Sequence, residues 1–176
     1  MNRCETFLGT KENPILKVPN PLILKECSKV MSLTDGTKKM SKSDPNENSR
    51  ITLLDDSDVI TKKIKRAKTD SQLGLEFGNP SRPEADNLLT IYAIISGLGR
   101  EKSAEYCAEM GWGKFKPEFT EAMINVLNPI QEKYKELMND PEELKRILNK
   151  GKFTAEEVSK LTLNRVKEAL GFYSTL

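Results

Sequence analysis

The chain has 176 residues, and its 28 lysines and arginines against 26 aspartates and glutamates leave a formal net charge of +2, so the chain is neither a polybasic nor an acidic tail. Histidine is absent, which excludes imidazole metal ligands and every Ser-His or Cys-His nucleophile pair. The three cysteines, Cys4, Cys27 and Cys107, form no CxxC pair, so we expect reduced thiols and no metal site.

Residues 1–57 interrupt short apolar runs with prolines and glycines, which is typical of loops and short extended pieces. The best strand candidates are residues 28–33 and 50–54. Two short strands with nothing to pair against are marginal in water. We therefore expect them to belong to a sheet whose other strands are not in this chain.

After residue 57 the apolar residues recur with a helical period. Asp55 and Asp56 are candidate N-caps of the first helix, Pro129 predicts a kink near Asn125, and Gly151 is expected to close a short helix. No apolar run approaches the roughly 20 residues of a membrane span, so we expect no membrane partner. The pattern predicts six helices, at residues 57–68, 83–96, 100–110, 117–138, 141–149 and from 154 onward.

The longer helices each carry an apolar face that is expected to be buried. The second helix should be the most buried, Cys107 should pack as a small apolar residue, and a capping box at residues 154–157 marks the start of the last helix. The expected core residues are Leu88, Leu89, Tyr92 and Ile95 in the second helix, Phe119, Met123, Leu127, Ile130, Tyr134 and Leu137 in the fourth, and Val158, Leu161, Val166, Ala169 and Leu170 in the last.

The segment at residues 31–46 carries the chemistry. It places Lys38, Lys39 and Lys42 among several hydroxyl side chains in one loop with few apolar anchors. Lysine ammonium groups act as point charges on phosphate oxygens, and such groups stabilise the charge that develops during nucleotidyl transfer. Composition alone favours the alternative that these are solvated surface lysines. The order of the residues reverses that preference.

Residues 39–43 read Lys-Met-Ser-Lys-Ser, the KMSKS signature of class I aminoacyl-tRNA synthetases, letter for letter. The flanking residues 30–35, 44–46, 49–55 and 63–71 resemble tryptophanyl-tRNA synthetase, and so do residues 87–92, 111–117 and 128–131. The similarity runs from about residue 15 to the end and favours the tryptophan enzyme over its relative for tyrosine. A tyrosine-type ligase remains an alternative.

The resemblance implies a role for each residue of the matched loop. Lys42 would bind the triphosphate of ATP and stabilise the adenylation transition state, Lys39 would assist it, and Val30 would meet the adenine end of ATP through its backbone. Met40, Ser41 and Ser43 would shape the loop and donate hydrogen bonds. The implied substrates are tryptophan, ATP with Mg²⁺, and tRNA(Trp).

The resemblance also implies the architecture, which would be mainly α. Residues 1–60 would be the C-terminal remnant of an α/β Rossmann-type catalytic domain with the KMSKS loop, and residues 61–176 a helical anticodon-binding domain. No HIGH-like motif and no tryptophan pocket can be found in the sequence. We therefore expect the chain to be the C-terminal part of the enzyme, unable to form tryptophanyl-adenylate by itself; a non-catalytic tRNA-binding fragment is the alternative.

A cluster of cations in the first helix could bind tRNA phosphates, although a solvated helix face is equally expected. Trp112, Phe115 and Phe77 could stack on an unpaired base, but packing is the favoured interpretation for the first two. Homodimerisation is expected of the complete family member. The expected compartment is the cytoplasm, with mitochondrion or plastid as the alternative. The cations are Lys62, Lys63, Lys65, Arg66 and Lys68.

Overall fold

The computed structural model describes residues 9–10, 13–14, 16, 19–23 and 29–172. It is mainly α-helical, as the sequence predicts. Within the described part of the chain, no helix combines the length and apolar character needed to cross a membrane. The elements are β1 (Gly9–Thr10), β2 (Asn13–Pro14), a 3-10 turn (Glu47–Ser49), α1 (Ser57–Arg66), α2 (Pro83–Ile95), α3 (Gly99–Cys107), α4 (Trp112–Asn139) and α5 (Pro141–Ala169).

The chain divides into two compact units. The first comprises residues 1–22 and 136–176; in it β1 pairs with β2 antiparallel, and α5 contains no buried residue. The second comprises residues 23–135 and contains the KMSKS segment.

The core of the second unit is built on an aromatic contact between α2 and α4. The rings of Tyr92 and Phe115 meet edge to face with centroids 5.4 Å apart, and Phe115 stacks on Phe119 at 5.7 Å. Burying each such side chain contributes about 1.5–3 kcal/mol, so this cluster fixes α2 beside α4. Its buried members include Leu33, Ile60, Ile64, Leu88, Leu89, Tyr92, Phe115, Phe119, Met123 and Leu127.

Several core predictions are confirmed and others are wrong. Leu88, Leu89 and Tyr92 are buried, and Cys107 is fully buried, which raises the pKa of its thiol to about 11. Cys4 and Cys27 lie outside the described residues. The predicted core residues Ile130, Tyr134, Val158, Leu161 and Leu170 are exposed instead. A helical period identifies an apolar face but does not tell whether another surface covers it.

The two predicted strands are wrong as regular strands. Residues 29–33 make a single bridge, between Met31 and Lys39, and residues 50–54 contain no strand; Ser28 lies outside the described residues. A strand is recognised by its ladder of backbone hydrogen bonds. Here the N–H of Leu33 donates instead to the carbonyl of Ser49, at the end of the 3-10 turn.

The fourth helix begins earlier than predicted, at Trp112 rather than Pro117. Proline inside a helix removes one backbone hydrogen bond. Starting the helix at Trp112 places Phe115 and Phe119 one turn apart, so both point into the same core and neither has exposed surface. The burial of Phe115 therefore offsets part of the loss at Pro117. The kink near Asn125 stays a prediction.

The last two predicted helices form the single helix α5. Asp140 caps it as expected, since its carboxylate accepts a hydrogen bond from the N–H of Glu143 at 3.0 Å. Gly151 does not end the helix, and the Thr154 hydroxyl donates to the carbonyl of Lys150 at 3.1 Å instead of capping a new start. One glycine costs a helix interior only about 1 kcal/mol, so the helix continues through it.

Candidate phosphate-binding loop

The KMSKS segment begins on a short antiparallel ribbon formed by residues 30–32 and 38–40. The N–H of Ser32 donates to the carbonyl of Lys38 at 2.8 Å, and the N–H of Met40 donates to the carbonyl of Val30 at 3.0 Å. Val30, predicted from the resemblance as a nucleotide contact, is thus joined directly to a residue of the motif. The ribbon brings these two predicted site residues together.

The outer edge of this ribbon is held by the side chain of Asn87 in α2. Its amide oxygen accepts from the N–H of Met31 at 2.9 Å, and its amide nitrogen donates to the carbonyl of Met31 at 2.9 Å. Asn87 is only 5% exposed. Both backbone polar groups of Met31 are therefore satisfied by one side chain.

The turn that closes the ribbon packs against the beginning of α2. The N–H of Gly36 donates to the Glu84 carboxylate at 3.3 Å, and Lys68 forms an ion pair with the same carboxylate at 2.7 Å. Burial raises the pKa of Glu84, but hydrogen bonds, chiefly the one from Lys68, lower this pKa by more than burial raises it. The net shift is therefore downward. An ionised Glu84 thus connects the turn to the segment after α1.

Asp35 orders the same turn from within. Its carboxylate accepts from the hydroxyl of Thr37 at 2.6 Å and from the Thr37 N–H at 3.1 Å, and Lys38 lies 3.2 Å away. Hydrogen bonds from Thr37, then the contact with Lys38, lower the pKa of Asp35 to about 2. The ammonium group of Lys38 is consequently engaged in an ion pair within the turn.

Four of the five motif side chains face solvent, those of Lys39, Ser41, Lys42 and Ser43. Lys39 and Lys42 are exposed, and within residues 29–172 neither makes an ion pair. The hydroxyls of Ser41 and Ser43 lie 3.0 Å apart, while Met40 packs partly against the core. The loop therefore presents two ammonium groups and two hydroxyls on an anchored base, a donor set suited to a polyphosphate.

The predicted basic face of α1 is smaller than the sequence suggests. Lys63 is buried and pairs with Asp55 at 2.5 Å, and Lys68 pairs with Glu84. Lys62, Lys65 and Arg66 are exposed. Lys68 is exposed as well, but only three of the five predicted cations are exposed without an ion pair among the described residues.

A groove of about 640 Å³ lies between α1 and α4. Trp112 and Pro117 line it together with Lys65, and the ammonium of Lys116 donates to the carbonyls of Lys65 and Ala67 at 2.9 and 2.8 Å. Burial lowers the pKa of Lys116.

Packing accounts for the three aromatic residues considered for base stacking. Phe115 has no exposed surface, and Phe77 lies under the guanidinium of Arg100 at 3.9 Å. Trp112 is half-buried, and its indole N–H donates to Asp70 at 3.3 Å. The interpretation of Trp112 and Phe115 as packing residues agrees with these contacts.

The sequence did not predict the residues that support the loop, which are Asn87, Glu84, Gly36 and Asp35. One signal was present, because Asn87 is a polar residue directly before Leu88 and Leu89, in the stretch of α2 that enters the core. A buried polar side chain must find partners. Which partners it finds could not be read from its position in the helix.

Comparisons with known proteins agree with these features. Residues 4–128 match the family described as tRNA synthetases class I (W and Y). The chain is 62% identical over 170 residues to the tryptophan--tRNA ligase of Prochlorococcus marinus (strain MIT 9313), covering 97% of this chain and 50% of that relative. It is 49% identical over 166 residues to the chloroplastic/mitochondrial tryptophan--tRNA ligase of Arabidopsis thaliana, covering 94% and 41%.

A solved structure is similar as well. The tryptophanyl-tRNA synthetase from Mycoplasma pneumoniae matches with a TM-score of 0.73 and 31% identity, over 86% of this chain and 47% of that one. The chain thus spans about half the length of the curated relatives it matches.

Proposed function

Because the chain belongs to the class I tRNA synthetases of the tryptophan and tyrosine family, we propose that it is the part of a tryptophan–tRNA ligase that carries the KMSKS loop and the tRNA-binding helices. The observation that carries this proposal is the exposed pair Lys39 and Lys42 on a loop whose base is fixed. The choice of tryptophan over tyrosine rests on the 62% identity to a tryptophan--tRNA ligase.

The proposed reaction has two steps. The carboxylate of tryptophan attacks the α-phosphate of ATP, held as its Mg²⁺ complex, and pyrophosphate leaves. A hydroxyl of the terminal tRNA ribose then takes the aminoacyl group and AMP leaves. Lys42, assisted by Lys39, neutralises the triphosphate charge in the first step. Ser41, Ser43 and the backbone around Met40 donate hydrogen bonds to it, and Val30 meets the adenine end.

The proposed division of labour follows the sequence. Residues 1–60 complete the nucleotide-binding domain, and residues 61–176 bind tRNA(Trp). Exposed Lys62, Lys65 and Arg66 support the second role, because phosphate contacts supply much of the affinity for nucleic acid. We place the complete enzyme, a homodimer, in the cytoplasm; a plastid or mitochondrion is the alternative, given the Arabidopsis relative.

A chimera tests the proposal. The first half of the Prochlorococcus ligase would be joined to this chain, and exchange of pyrophosphate into ATP would be measured. We expect exchange that requires tryptophan and is not supported by tyrosine. Lys42→Ala should lower kcat by roughly 10²–10³-fold, since removing one preorganised charge donor has effects of that order. Exchange with tyrosine instead would assign the other enzyme of the family.

Two controls accompany the chimera. Lys38→Ala removes the same charge from the same loop, but Lys38 is engaged by Asp35, so exchange should fall by no more than about threefold. The chain alone should show none, and clear tryptophan-dependent exchange by it would contradict the proposed division of labour. An inactive chimera that still binds tRNA would favour a non-catalytic tRNA-binding chain.

A further inference from the structure

The ribbon under the KMSKS loop needs support from outside. It consists of residues 30–32 and 38–40, joined by one bridge between Met31 and Lys39. A two-stranded ribbon of this length is not stable in water without further packing. What holds its outer edge therefore also holds the loop.

Met31 has its backbone polar groups on that outer edge. The ribbon's hydrogen bonds run from Ser32 to Lys38 and from Met40 to Val30, the residues on either side of the bridged pair. In an antiparallel pair of this kind, the N–H and carbonyl of the bridged residue itself point away from the partner. In a sheet they would meet the next strand.

Asn87 takes the place of that strand. Its carboxamide accepts from the N–H of Met31 and donates to the carbonyl of Met31, both at 2.9 Å. A carboxamide offers this acceptor and donor side by side, whereas an ionised carboxylate offers only acceptors and an aliphatic side chain neither. The groups that the amide meets determine its orientation. In the reverse orientation its NH2 group would face the Met31 N–H, donor against donor, and its oxygen would face the Met31 carbonyl, acceptor against acceptor.

Asn87 also sits on a fixed element. It follows Glu84 by three residues on α2, so the two lie on one face, and Glu84 accepts from the N–H of Gly36 in the turn. The next residues, Leu88 and Leu89, are buried in the core. Helix α2 thus holds the ribbon at its edge and at its turn.

We propose that Asn87 is a positioning residue for the KMSKS loop: by bonding both backbone groups of Met31, it fixes the strand paired with Lys39 and Met40 and so sets where the loop lysines meet the triphosphate. The part of this proposal that concerns ATP rests on the function proposed above. Asn87 itself touches no substrate and acts through the ribbon.

The test on this chain is amide hydrogen exchange followed by NMR. Asn87→Leu should lower the protection of the Ser32 and Met40 amides at least 10-fold, while amides in the buried part of α4 keep theirs. Fluorescence of Trp112, the only tryptophan, reports whether the core is still folded. Unchanged protection of Ser32 and Met40 in a folded variant would overturn the proposal.

Asn87→Asp gives a second readout that simple loss of packing would not produce. At pH 7 the introduced carboxylate has no donor for the Met31 carbonyl, so protection should fall. When protonated at lower pH, the carboxyl group again has one donor and one acceptor, so protection relative to wild type at the same pH should recover. Wild type is the reference at each pH because Glu84 and Lys68 lie close by. Absence of recovery in a folded protein would count against the proposal.

The chimera connects the anchor to catalysis. Asn87→Asp should lower kcat for pyrophosphate exchange at least 10-fold at pH 7 and leave the KM for tryptophan unchanged. Asn125→Asp, which adds the same charge at an exposed position of α4, should leave both unchanged. Reduced protection with an unchanged kcat would overturn the link to the reaction. If the wild-type chimera is inactive, the proposed function fails. Amide hydrogen exchange on this chain still decides whether Asn87 anchors the ribbon.

Discussion

Gly36 sits where the turn of the ribbon crosses the beginning of α2. A Cβ atom placed there would lie 2.6 Å from the backbone nitrogen of Glu84 and 2.7 Å from the carbonyl carbon of Pro83. Backbone atoms cannot move aside as a flexible side chain can. The requirement for glycine here therefore comes from the close approach of two backbones.

Gly36→Ala should lower the free energy of unfolding by about 1–3 kcal/mol, because the turn or α2 must shift to admit the methyl group. Gly113→Ala is the matched control: its Cβ would meet no atom within 4 Å, so in the first turn of α4 it should leave the free energy of unfolding unchanged or raise it by less than about 1 kcal/mol. Urea unfolding followed by Trp112 fluorescence measures both. Equal effects of the two substitutions would contradict the close approach.

Arg82 holds the segment between α1 and α2. Its side chain is 3% exposed, and its guanidinium donates to both carboxylate oxygens of Asp70 at 2.8 and 3.0 Å and to the carbonyl of Gly74 at 2.9 Å. The hydrogen bond from Arg82 is the main cause that lowers the pKa of Asp70. The pair thus links a buried cation to a partly exposed carboxylate.

Arg82→Ala should cost about 3 kcal/mol of stability at pH 7, because it leaves the Asp70 carboxylate without its cationic partner in a partly buried site. The folded pKa of Asp70 is depressed, so its contribution is present above its ordinary pKa of 3.8 and is lost as pH falls through the folded value. The difference in the free energy of urea unfolding between wild type and variant should therefore shrink as the pH is lowered below 3.8 and Asp70 becomes protonated in the folded state. A difference independent of pH would show that packing of Arg82, not the ion pair, carries the effect.

At the scale of elements, the sequence predicts helices well and strands poorly. The start of α1 behind Asp56 and of α2 at Pro83 follows from local capping chemistry, which acts within a few residues. Both backbone polar groups of Met31 are bonded by the side chain of Asn87, 56 residues later in the sequence. No local pattern contains that contact. Lys39 and Lys42 could be predicted as candidate site residues because they stand in a recognisable order in the sequence. The contacts that hold their loop in place could not be predicted.

The continuity of helix α5 can be tested at Gly151, where the sequence predicts an end and the structure has none. If Gly151 lies in a helix interior, Gly151→Ala should raise the helix content and stabilise the helix by about 1 kcal/mol. A Cβ there would meet no atom within 4 Å. If a helix instead ended at Gly151, alanine would be neutral or destabilising. Circular dichroism during thermal unfolding separates the two outcomes, with Lys150→Ala as a control that changes the neighbouring exposed position without removing a glycine.

At the scale of the whole molecule, the net charge is small although cations are concentrated locally. The net charge is only +2, yet α1 presents Lys62, Lys65 and Arg66 to solvent. The sequence alone suggested five cations, and burial of Lys63 could not be foreseen because its partner Asp55 precedes the helix that carries the lysine. The structure therefore narrows the candidate tRNA surface to three side chains.

Binding of tRNA should weaken with salt because each neutralised phosphate releases counterions. In a plot of log affinity against log salt, Lys65→Ala should reduce the slope by about 0.7–0.9, the contribution of one phosphate contact. Lys63→Ala should leave the slope unchanged and lower stability instead, since Lys63 is buried against Asp55. Lys102→Ala, which changes an exposed residue of α3, is the matched surface control. Filter binding of the tRNA between 50 and 300 mM salt measures all four slopes, and a wild-type affinity independent of salt would remove α1 from the tRNA-binding surface.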